Sequence, residues 1–273
     1  MPPLPLAVLL DLDDTILSDN LHVEDCWRHA CFSCRADGPD ADPDALLAAI
    51  DTVRDWFWAD PDRHRVGRLD LGAARREIVR LALGELGVDD VALACRIADE
   101  YSTEREARME PFPGAIDTVR WLRASGSRLA LLTNGSGAGQ RRKIERFGLA
   151  DLFDLILIEG EIGFGKPDPR VFARALTELA VDPSDAWMVG DNLEWDVQQP
   201  QRMGVFAIWV DGGGKGLPET TAIRPDRIVR TLSDLREEKS SHKGDSSRTH
   251  ENTTQDPRPW TTERRVPSRS REQ

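Results

Sequence analysis

The sequence contains no long apolar run, no excess of positive charge and few cysteines. A transmembrane helix needs about 18 or more consecutive apolar residues, and no stretch of the chain approaches that length. The short apolar stretch near the N-terminus follows no basic residue and runs directly into Asp11, so it lacks the pattern of a signal peptide. Four cysteines without the spacing of a disulfide framework are typical of a reducing compartment. We therefore predict a cytoplasmic protein with no membrane partner.

The charge of the chain limits its partners. Aspartate and glutamate outnumber lysine and arginine by 48 to 36, which gives a net charge of −12 at pH 7. Proteins that bind nucleic acids depend on lysine and arginine to displace counterions from phosphates, so the sequence argues against a nucleic-acid partner. At 273 residues the chain is long enough for one large domain or two modest ones.

Residues 18–110, the helical insertion, have the pattern of a helical bundle. Apolar residues recur at three- and four-residue spacing in four consecutive segments, at 21–35, 43–58, 71–86 and 89–108. Pro43 stands in the first turn of the second segment and Gly87 directly after the third, where helix start and stop signals occur. Four helices with short connections predict a small four-helix bundle.

The rest of the chain up to residue 235 alternates short apolar strands with amphipathic helices. The predicted strands are 6–10, 128–133, 155–158, 187–190 and 205–210. This alternation predicts an α/β fold in which helices cover both faces of a parallel sheet. We expect a core domain made of 1–17 and 111–235, with the helical domain 18–110 inserted into it. Residues 236–273 are poor in apolar side chains and are predicted to be a disordered tail.

Two carboxylates, Asp11 and Asp13, follow the first strand directly. Because side chains alternate along an extended segment, both carboxylates point the same way. At about 4 Å and an effective dielectric constant near 20, their repulsion is on the order of 4 kcal/mol. A divalent cation would compensate this charge. The structural alternative is an Asp-rich turn that caps the following helix.

Polar residues also follow three later strands. They are Thr133 and Asn134 after the second strand, Lys166 after the third, and Asp191 and Asp196 after the fourth. Each has a structural alternative, because turns, solvent-exposed lysines and helix caps are common at such positions. Ligands of parallel sheets bind at the carboxyl ends of the strands, so the occurrence of all four groups in order favours one active site.

This set of motifs resembles that of the haloacid dehalogenase superfamily of phosphohydrolases. The resemblance extends over about residues 4–235. It rests on Asp11-Leu12-Asp13-Asp14-Thr15, on Thr133, on Lys166 before Pro167, and on Gly190-Asp191 with Asp196. It implies a Rossmann-like core with the strand order 5-4-1-2-3. The helical insertion directly after the first motif resembles the C1 cap of that superfamily.

The resemblance implies a phosphatase mechanism with Mg²⁺ as the cofactor. Asp11 would be the nucleophile that forms an aspartyl-phosphate. Asp13 would be the acid that protonates the leaving group and then the base for the hydrolytic water. The Mg²⁺ ligands would be the Asp11 carboxylate, the backbone carbonyl of Asp13 and Asp191.

The resemblance also assigns the groups that face the transferring phosphoryl group. Thr133 and the backbone N–H of Asn134 would bind its oxygens. Lys166 would offset the negative charge between Asp11 and the phosphate. Asp196 would lie one layer further out, where it orients a metal-bound water or helps to hold Lys166.

Other activities of the same fold remain as alternatives. A haloacid dehalogenase displaces halide from carbon and usually lacks both a carboxylate two residues after the nucleophile and a Mg²⁺ requirement, so Asp13 and Asp191 favour a phosphatase. A phosphoglucomutase-like phosphotransferase would keep both residues and stays open. A non-enzymatic binding protein would be expected to have lost at least one of these acidic residues.

The helical insertion is expected to select the substrate, a small phosphorylated metabolite. An aromatic run at 56–58 precedes a basic stretch at 62–68, which we predict to be a loop between helices. In the functional interpretation, Arg63 and Arg65 contact the leaving group. In the structural interpretation, the tryptophans pack into the bundle and the arginines are solvated.

Two further arginines, Arg75 and Arg76, stand on a predicted helix with Glu77 beside them. We expect both to face solvent. The sequence leaves a monomer and a homodimer equally open.

Overall fold

The computed structural model of the chain describes residues 4–34 and 42–236. This described part contains a six-stranded sheet in which neighbouring strands are all parallel. The strands are β1 (Ala7–Leu10), β2 (Arg128–Thr133), β3 (Leu155–Ile158), β4 (Ala186–Gly190), β5 (Phe206–Val210) and β6 (Arg227–Val229). Their order across the sheet is β3-β2-β1-β4-β5-β6.

Five of the strands follow the predicted order. Read from β5, the sheet runs β5-β4-β1-β2-β3, which confirms the order 5-4-1-2-3, and β6 extends the sheet beyond β5. The sequence does not predict β6, because only the three residues of Arg227–Val229 pair with β5. A strand of that length is too short to show an alternation of apolar and polar residues.

The central strand β1 is buried on both faces. Val8 and Leu10 pack with apolar residues of α6 (Ala115–Ala124) and α7 (Gly137–Arg146). The alternate residues of β1 pack with those of α9 (Pro169–Glu178). Because a strand has a two-residue period, coverage on both faces requires a continuous apolar run. The prediction of an α/β fold with helices on both faces of the sheet is confirmed.

The helical insertion follows β1. Its described helices are α1 (Val23–Ser33), α2 (Pro43–Ala59), α3 (Pro61–Gly67), α4 (Leu71–Glu85) and α5 (Val91–Arg108). Helices α1, α2, α4 and α5 surround an apolar cluster of their own, distinct from the clusters on the two faces of the sheet. The chain leaves and re-enters the core through adjacent segments, since the Ser18 N–H donates to the Glu110 carbonyl at 2.8 Å.

Helix α3 lies where the sequence predicts a loop, so the insertion has five helices in its described part instead of four. Asp60 caps α3 by accepting a hydrogen bond from the Arg63 N–H at 2.8 Å, and Pro61 stands in the first turn. The helix packs closely against α2, because a Cβ on Gly67 would lie 2.9 Å from Phe57 Cε1. Val66 is its only large aliphatic residue, so no helical periodicity marks it in the sequence.

Three shorter elements complete the fold around the strand ends. They are α8 (Glu159–Ile162), a π-helical turn at Leu193–Gln198 and α10 (Gln199–Arg202). Among the described residues, no helix is both long and apolar enough to cross a membrane. Apart from Arg236, the predicted tail lies outside the described residues.

Candidate active site

Asp11 stands at the first position after β1, between strands β2 and β4. Its backbone N–H donates to the Val189 carbonyl of β4 at 3.0 Å, which continues the sheet by one residue. The residue is 7% exposed, and Thr15 Oγ1 approaches its Oδ2 at 3.4 Å. The sheet therefore holds this carboxylate in a fixed position at its carboxyl edge.

Lys166 bridges two carboxylates. Its Nζ donates to Asp11 Oδ1 at 2.6 Å and to Asp196 Oδ1 at 2.7 Å, and the residue is 2% exposed. Burial acts to lower the pKa of Lys166, but the two carboxylates outweigh it and raise the pKa above its usual value. Lys166 is therefore a buried, fixed positive charge beside Asp11.

The side chain of Asn134 fixes the backbone of Lys166. Asn134 Nδ2 donates to the Lys166 carbonyl at 2.7 Å, and the Lys166 N–H donates to Asn134 Oδ1 at 2.8 Å. The residue before the lysine is required to be glycine, because a Cβ on Gly165 would lie 2.4 Å from Asn134 Oδ1. This pair of hydrogen bonds joins the loops that follow β2 and β3.

Two residues of α7 that the sequence analysis did not select hold Asp13. Gln140 Nε2 lies 2.8 Å from Asp13 Oδ2 and 2.7 Å from Thr133 Oγ1, so it connects these two predicted residues. Lys143 Nζ donates to Asp13 Oδ1 at 2.7 Å. Burial raises the pKa of Asp13 above its usual value, against the opposing effect of Lys143. The available signal was the three-residue spacing of Gln140 and Lys143, which places them on one face of the helix after Thr133.

The same lysine connects the core to the helical insertion. Lys143 Nζ also lies 3.2 Å from Asp19 Oδ1, and Asp19 Oδ2 accepts a hydrogen bond from Arg105 Nη2 of α5 at 2.6 Å. Burial acts to raise the pKa of Asp19, but Lys143 and Arg105 outweigh it and lower the pKa to about 2. Asp19 is thus an ionised link between Lys143 of the core and Arg105 of the insertion.

Three carboxylates form a candidate metal site. Asp11, Asp191 and Asp196 each have an oxygen within 4.8 Å of the others. Burial, together with the charges of Asp11 and Asp196, raises the pKa of Asp191 to about 9. This shift means that Lys166 alone does not neutralise the cluster. Carboxylate oxygens are the ligands that Mg²⁺ prefers, so the donor set fits a divalent cation.

Asp196 is fully buried on the π-helical turn after β4. Its Oδ1 accepts a hydrogen bond from Lys166, and its Oδ2 accepts one from the Asn192 N–H at 3.0 Å. Gly190 makes room for it, since a Cβ there would lie 2.4 Å from Asp196 Cγ. Both carboxylate oxygens therefore have protein donors, in keeping with a residue that holds Lys166.

A largely buried ion pair joins the insertion to the core beside the loop that follows β2. Arg68, directly after α3, donates to both oxygens of Glu159 on α8, at 2.6 and 2.8 Å. Glu159 Oε2 also accepts a hydrogen bond from the Gly135 N–H at 3.0 Å. The pair is bidentate and well shielded from solvent, with side-chain exposures of 16% and 6%. Such planar pairs are both strong and geometrically specific.

A cavity of about 600 Å³, the outer cavity, is lined by Asp11, Asp13, Asn134, Lys166 and Asp191 and by their neighbours Gln140, Lys143 and Asp196. Arg63 and Arg65, which contact the leaving group in the functional interpretation of the sequence, do not lie on its lining. Arg63 instead donates to the Trp56 carbonyl at 2.7 Å and stacks over the Trp56 ring at 3.7 Å. Arg65 is exposed and pairs with Asp62 at 3.7 Å. This correction follows from α3, because its helical turn directs these two side chains away from the cavity.

Arg68 and Arg75 line the outer cavity instead. Arg75 was expected to face solvent, but its Nη1 donates to Ser102 Oγ at 3.0 Å. Arg76 is exposed as predicted and pairs with Asp99 at 2.7 Å. Neighbouring residues of a helix point about 100° apart, so two adjacent arginines meet different surroundings.

The comparisons with known proteins agree on one family. The chain matches the model of haloacid dehalogenase-like hydrolases over residues 5–204. Over 249 residues it is 37% identical to a phosphoserine phosphatase of Thermus thermophilus, and the aligned region covers 84% of this chain and 96% of that protein. Over 210 residues it is 28% identical to a glyceraldehyde 3-phosphate phosphatase of Methanopyrus kandleri, and the aligned region covers 76% of this chain and 84% of that protein.

Two solved structures have the same fold. A putative HAD-hydrolase, YfnB, from Bacillus subtilis, described as bound to magnesium, has a TM-score of 0.65 at 22% identity and covers 85% of this chain and 97% of its own. A 2-haloacid dehalogenase from Pseudomonas syringae has a TM-score of 0.56 at 29% identity and covers 85% and 96%. The chain therefore belongs to the haloacid dehalogenase-like hydrolases and is an enzyme of that family.

Proposed function

We propose that the chain is a Mg²⁺-dependent phosphatase that hydrolyses a small phosphomonoester through an aspartyl-phosphate on Asp11. The observation that carries the proposal is the second carboxylate, Asp13, which lines the same cavity as Asp11 and is held by Gln140 and Lys143. Relatives named as phosphatases of small phosphorylated metabolites support a phosphoric monoester hydrolase.

In the first half-reaction, an Asp11 oxygen attacks phosphorus and the bond from phosphorus to the leaving oxygen breaks. Asp13 gives its proton to the leaving alkoxide, and its raised pKa favours the protonated form that this step needs. Lys166 supplies a fixed positive charge beside the attacking oxygen. Thr133 and the backbone N–H of Asn134 bind the phosphoryl oxygens.

In the second half-reaction, water attacks the phosphorus of the aspartyl-phosphate. Asp13 takes a proton from this water, phosphate leaves, and the Asp11 carboxylate is regenerated. Gln140 and Lys143 keep Asp13 in one orientation through both steps. The cycle returns Asp13 to its protonated state, so the proton balance closes.

The residues that would hold Mg²⁺ are Asp11, Asp191 and the backbone carbonyl of Asp13, with Asp196 holding Lys166 next to them. The bound ion would neutralise charge on the phosphoryl oxygens. The raised pKa of Asp191 agrees with this assignment, because its causes are burial and the nearby negative charges of Asp11 and Asp196.

A dehalogenase is the second candidate, since one structural neighbour is a 2-haloacid dehalogenase. Halide is a weak base that leaves without a proton, so this reaction would give Asp13 and Asp191 no function. A phosphoglucomutase-like phosphotransferase would use the same residues and would differ in the acceptor of the phosphoryl group.

Release of phosphate from p-nitrophenyl phosphate tests the proposal. The turnover of wild type is measured in Mg²⁺ and in EDTA. It is also compared with the turnover of Asp11→Asn and of Asp117→Asn, a control at an exposed residue. Metal-dependent turnover that Asp11→Asn abolishes and Asp117→Asn retains would support the phosphatase. Release of halide from 2-chloropropionate without release of phosphate would favour the dehalogenase. Phosphoryl transfer to a sugar phosphate without release of free phosphate would favour the transferase.

We also propose a cytoplasmic location and a monomer or homodimer. The four cysteines are free thiols, which supports a reducing compartment. Light scattering of the purified chain would decide between the two oligomeric states.

A further inference from the structure

A second cavity of about 470 Å³, the inner cavity, lies within the helical insertion and adjoins the outer cavity. Arg68 and Arg75 line both cavities, whereas Trp27 and Tyr101 line only the inner one. A substrate with its phosphoryl group at Asp11 can therefore extend its leaving group into the insertion.

The inner cavity has one arginine without a carboxylate partner. Its other arginines, each within 4.0 Å of a carboxylate oxygen, are Arg54, Arg68 and Arg105. In the described part of the chain, no carboxylate lies that close to Arg75. Its guanidinium donates to Ser102 Oγ at 3.0 Å and lies 5.0 Å from the centre of the Tyr101 ring. The positive charge of Arg75 is therefore free to bind an anion.

Trp27 also lines the inner cavity, and its indole N–H is a buried donor. The residue is 1% exposed and stacks on Tyr101, with ring centres 3.6 Å apart and planes 9° from parallel. Its Nε1–H has no hydrogen-bond partner among the described residues. An indole N–H can only donate, and buried polar groups nearly always have a partner. Tyr101 thus contacts both a guanidinium that has no carboxylate within 4.0 Å and a tryptophan whose N–H has no acceptor among the described residues.

We propose that Arg75 binds a carboxylate on the leaving group, so that the enzyme prefers phosphomonoesters that carry one carboxylate. This inference rests on the phosphatase function proposed above and names its substrate class. A carboxylate offers only acceptor oxygens, which match the donors of a guanidinium. One unpaired positive charge matches a singly charged carboxylate better than a second phosphate group, whose charge is about −1.5 to −2.

A matched pair of esters tests the proposal. The probes are 3-(phosphonooxy)propionate and propyl phosphate, which have the same chain length and differ in a terminal carboxylate against a methyl group. Wild type is expected to have the higher kcat/KM for the acid. Arg75→Gln should lower the acid-to-propyl ratio of kcat/KM about 10- to 100-fold, because a hydrogen bond to a charged group is lost.

Arg76→Gln is the control, because Arg76 is the next residue of α4 and pairs with Asp99 on the surface. A ratio that falls no more in Arg75→Gln than in Arg76→Gln overturns the carboxylate site and leaves the phosphatase intact. If wild type hydrolyses neither ester, calorimetry of both esters with wild type and Arg75→Gln tests the site alone, and the phosphatase proposal fails only if p-nitrophenyl phosphate is not hydrolysed either. The site is supported if wild type binds the acid more tightly than propyl phosphate and Arg75→Gln loses this difference. Equal binding of the two esters by wild type overturns the site.

Discussion

Asp13 separates the proposed phosphatase chemistry from halide displacement, because only an alkoxide leaving group needs its proton. Asp13→Asn should lower kcat/KM for an alkyl phosphate about 10²- to 10⁴-fold, the usual contribution of a general acid. The loss should be smaller for p-nitrophenyl phosphate, since nitrophenolate leaves without protonation. Steady-state kinetics with both esters measure the difference.

The control for this variant is Asp62→Asn, because Asp62 is exposed and its ion-pair partner Arg65 is exposed as well. It should leave both esters unaffected. Equal losses for the two esters in Asp13→Asn would contradict an acid role in the first half-reaction.

Asp19 should make the stability of the fold depend on pH in the acid range. Its pKa is lowered to about 2 in the folded chain, and the unfolded value is near 3.9. A lowered pKa stabilises the folded state above the unfolded pKa, and this contribution is lost as the pH falls from about 4 to about 2. With a side chain 22% exposed, the contribution at neutral pH is about 2 kcal/mol.

Urea unfolding of wild type and Asp19→Asn checks this prediction. The difference in the free energy of unfolding should be largest near pH 7 and should fall by roughly half near pH 3. The control, Asp117→Asn, removes an aspartate whose side chain is 66% exposed, and should show no such change. A pH-independent difference for Asp19→Asn would mean that Asp19 is not ionised beside Lys143 and Arg105.

At the scale of elements, apolar patterning predicts what is long or buried. The strand β1 and its parallel neighbours are recognisable because burial on both faces requires continuous apolar residues. The helix α3 escapes the same reasoning, because a proline, an aspartate cap and a tight glycine contact define it instead of an apolar stripe. The strand β6 escapes because it is three residues long.

The ion pair between Arg68 and Glu159 should hold α3 against α8. Because both side chains are largely buried, removal of one partner leaves an uncompensated charge, and Arg68→Met should cost about 3–5 kcal/mol of stability. The double variant Arg68→Met, Glu159→Gln should recover part of this loss. Urea unfolding of the four proteins in the double-mutant cycle gives the coupling energy.

The exposed pair Arg76–Asp99 is the matched control for this cycle, with side-chain exposures of 49% and 56%. Its coupling energy should be no more than about 1 kcal/mol, since solvent screens exposed ion pairs. Equal coupling in the two cycles would contradict the structural role of the Arg68 pair.

At the scale of the whole molecule, the site depends on how the insertion meets the sheet. The order of the polar residues along the chain predicts Asp11, Lys166 and Asp191 as neighbours, because parallel strands end at one edge. It does not predict which arginine of the insertion faces them. Arg75 instead of Arg63 lines the cavity because of the rotation of α4 and the presence of α3, which depend on tertiary packing.

Mg²⁺ should stabilise the entire fold, because a ligand that binds only the folded chain shifts the unfolding equilibrium. At 100 times its dissociation constant, one ion adds about 2.7 kcal/mol. Without metal the pKa of Asp191 is about 9, so binding displaces a proton and the stabilisation should grow between about pH 6 and pH 8. Thermal unfolding with and without Mg²⁺ measures this shift, with Asp117→Asn as the control.

Asp191→Asn tests whether the cluster of Asp11, Asp191 and Asp196 holds the ion. The variant removes one negative charge and the group with the raised pKa, so both the Mg²⁺-induced rise in Tm and its pH dependence should disappear. A rise that persists in Asp191→Asn would place the stabilising ion elsewhere. A Mg²⁺-induced rise in the Tm of wild type that is equal at about pH 6 and about pH 8 would mean that Asp191 is already ionised without metal. The buried carboxylates would then be balanced by Lys166 without the help of a divalent cation.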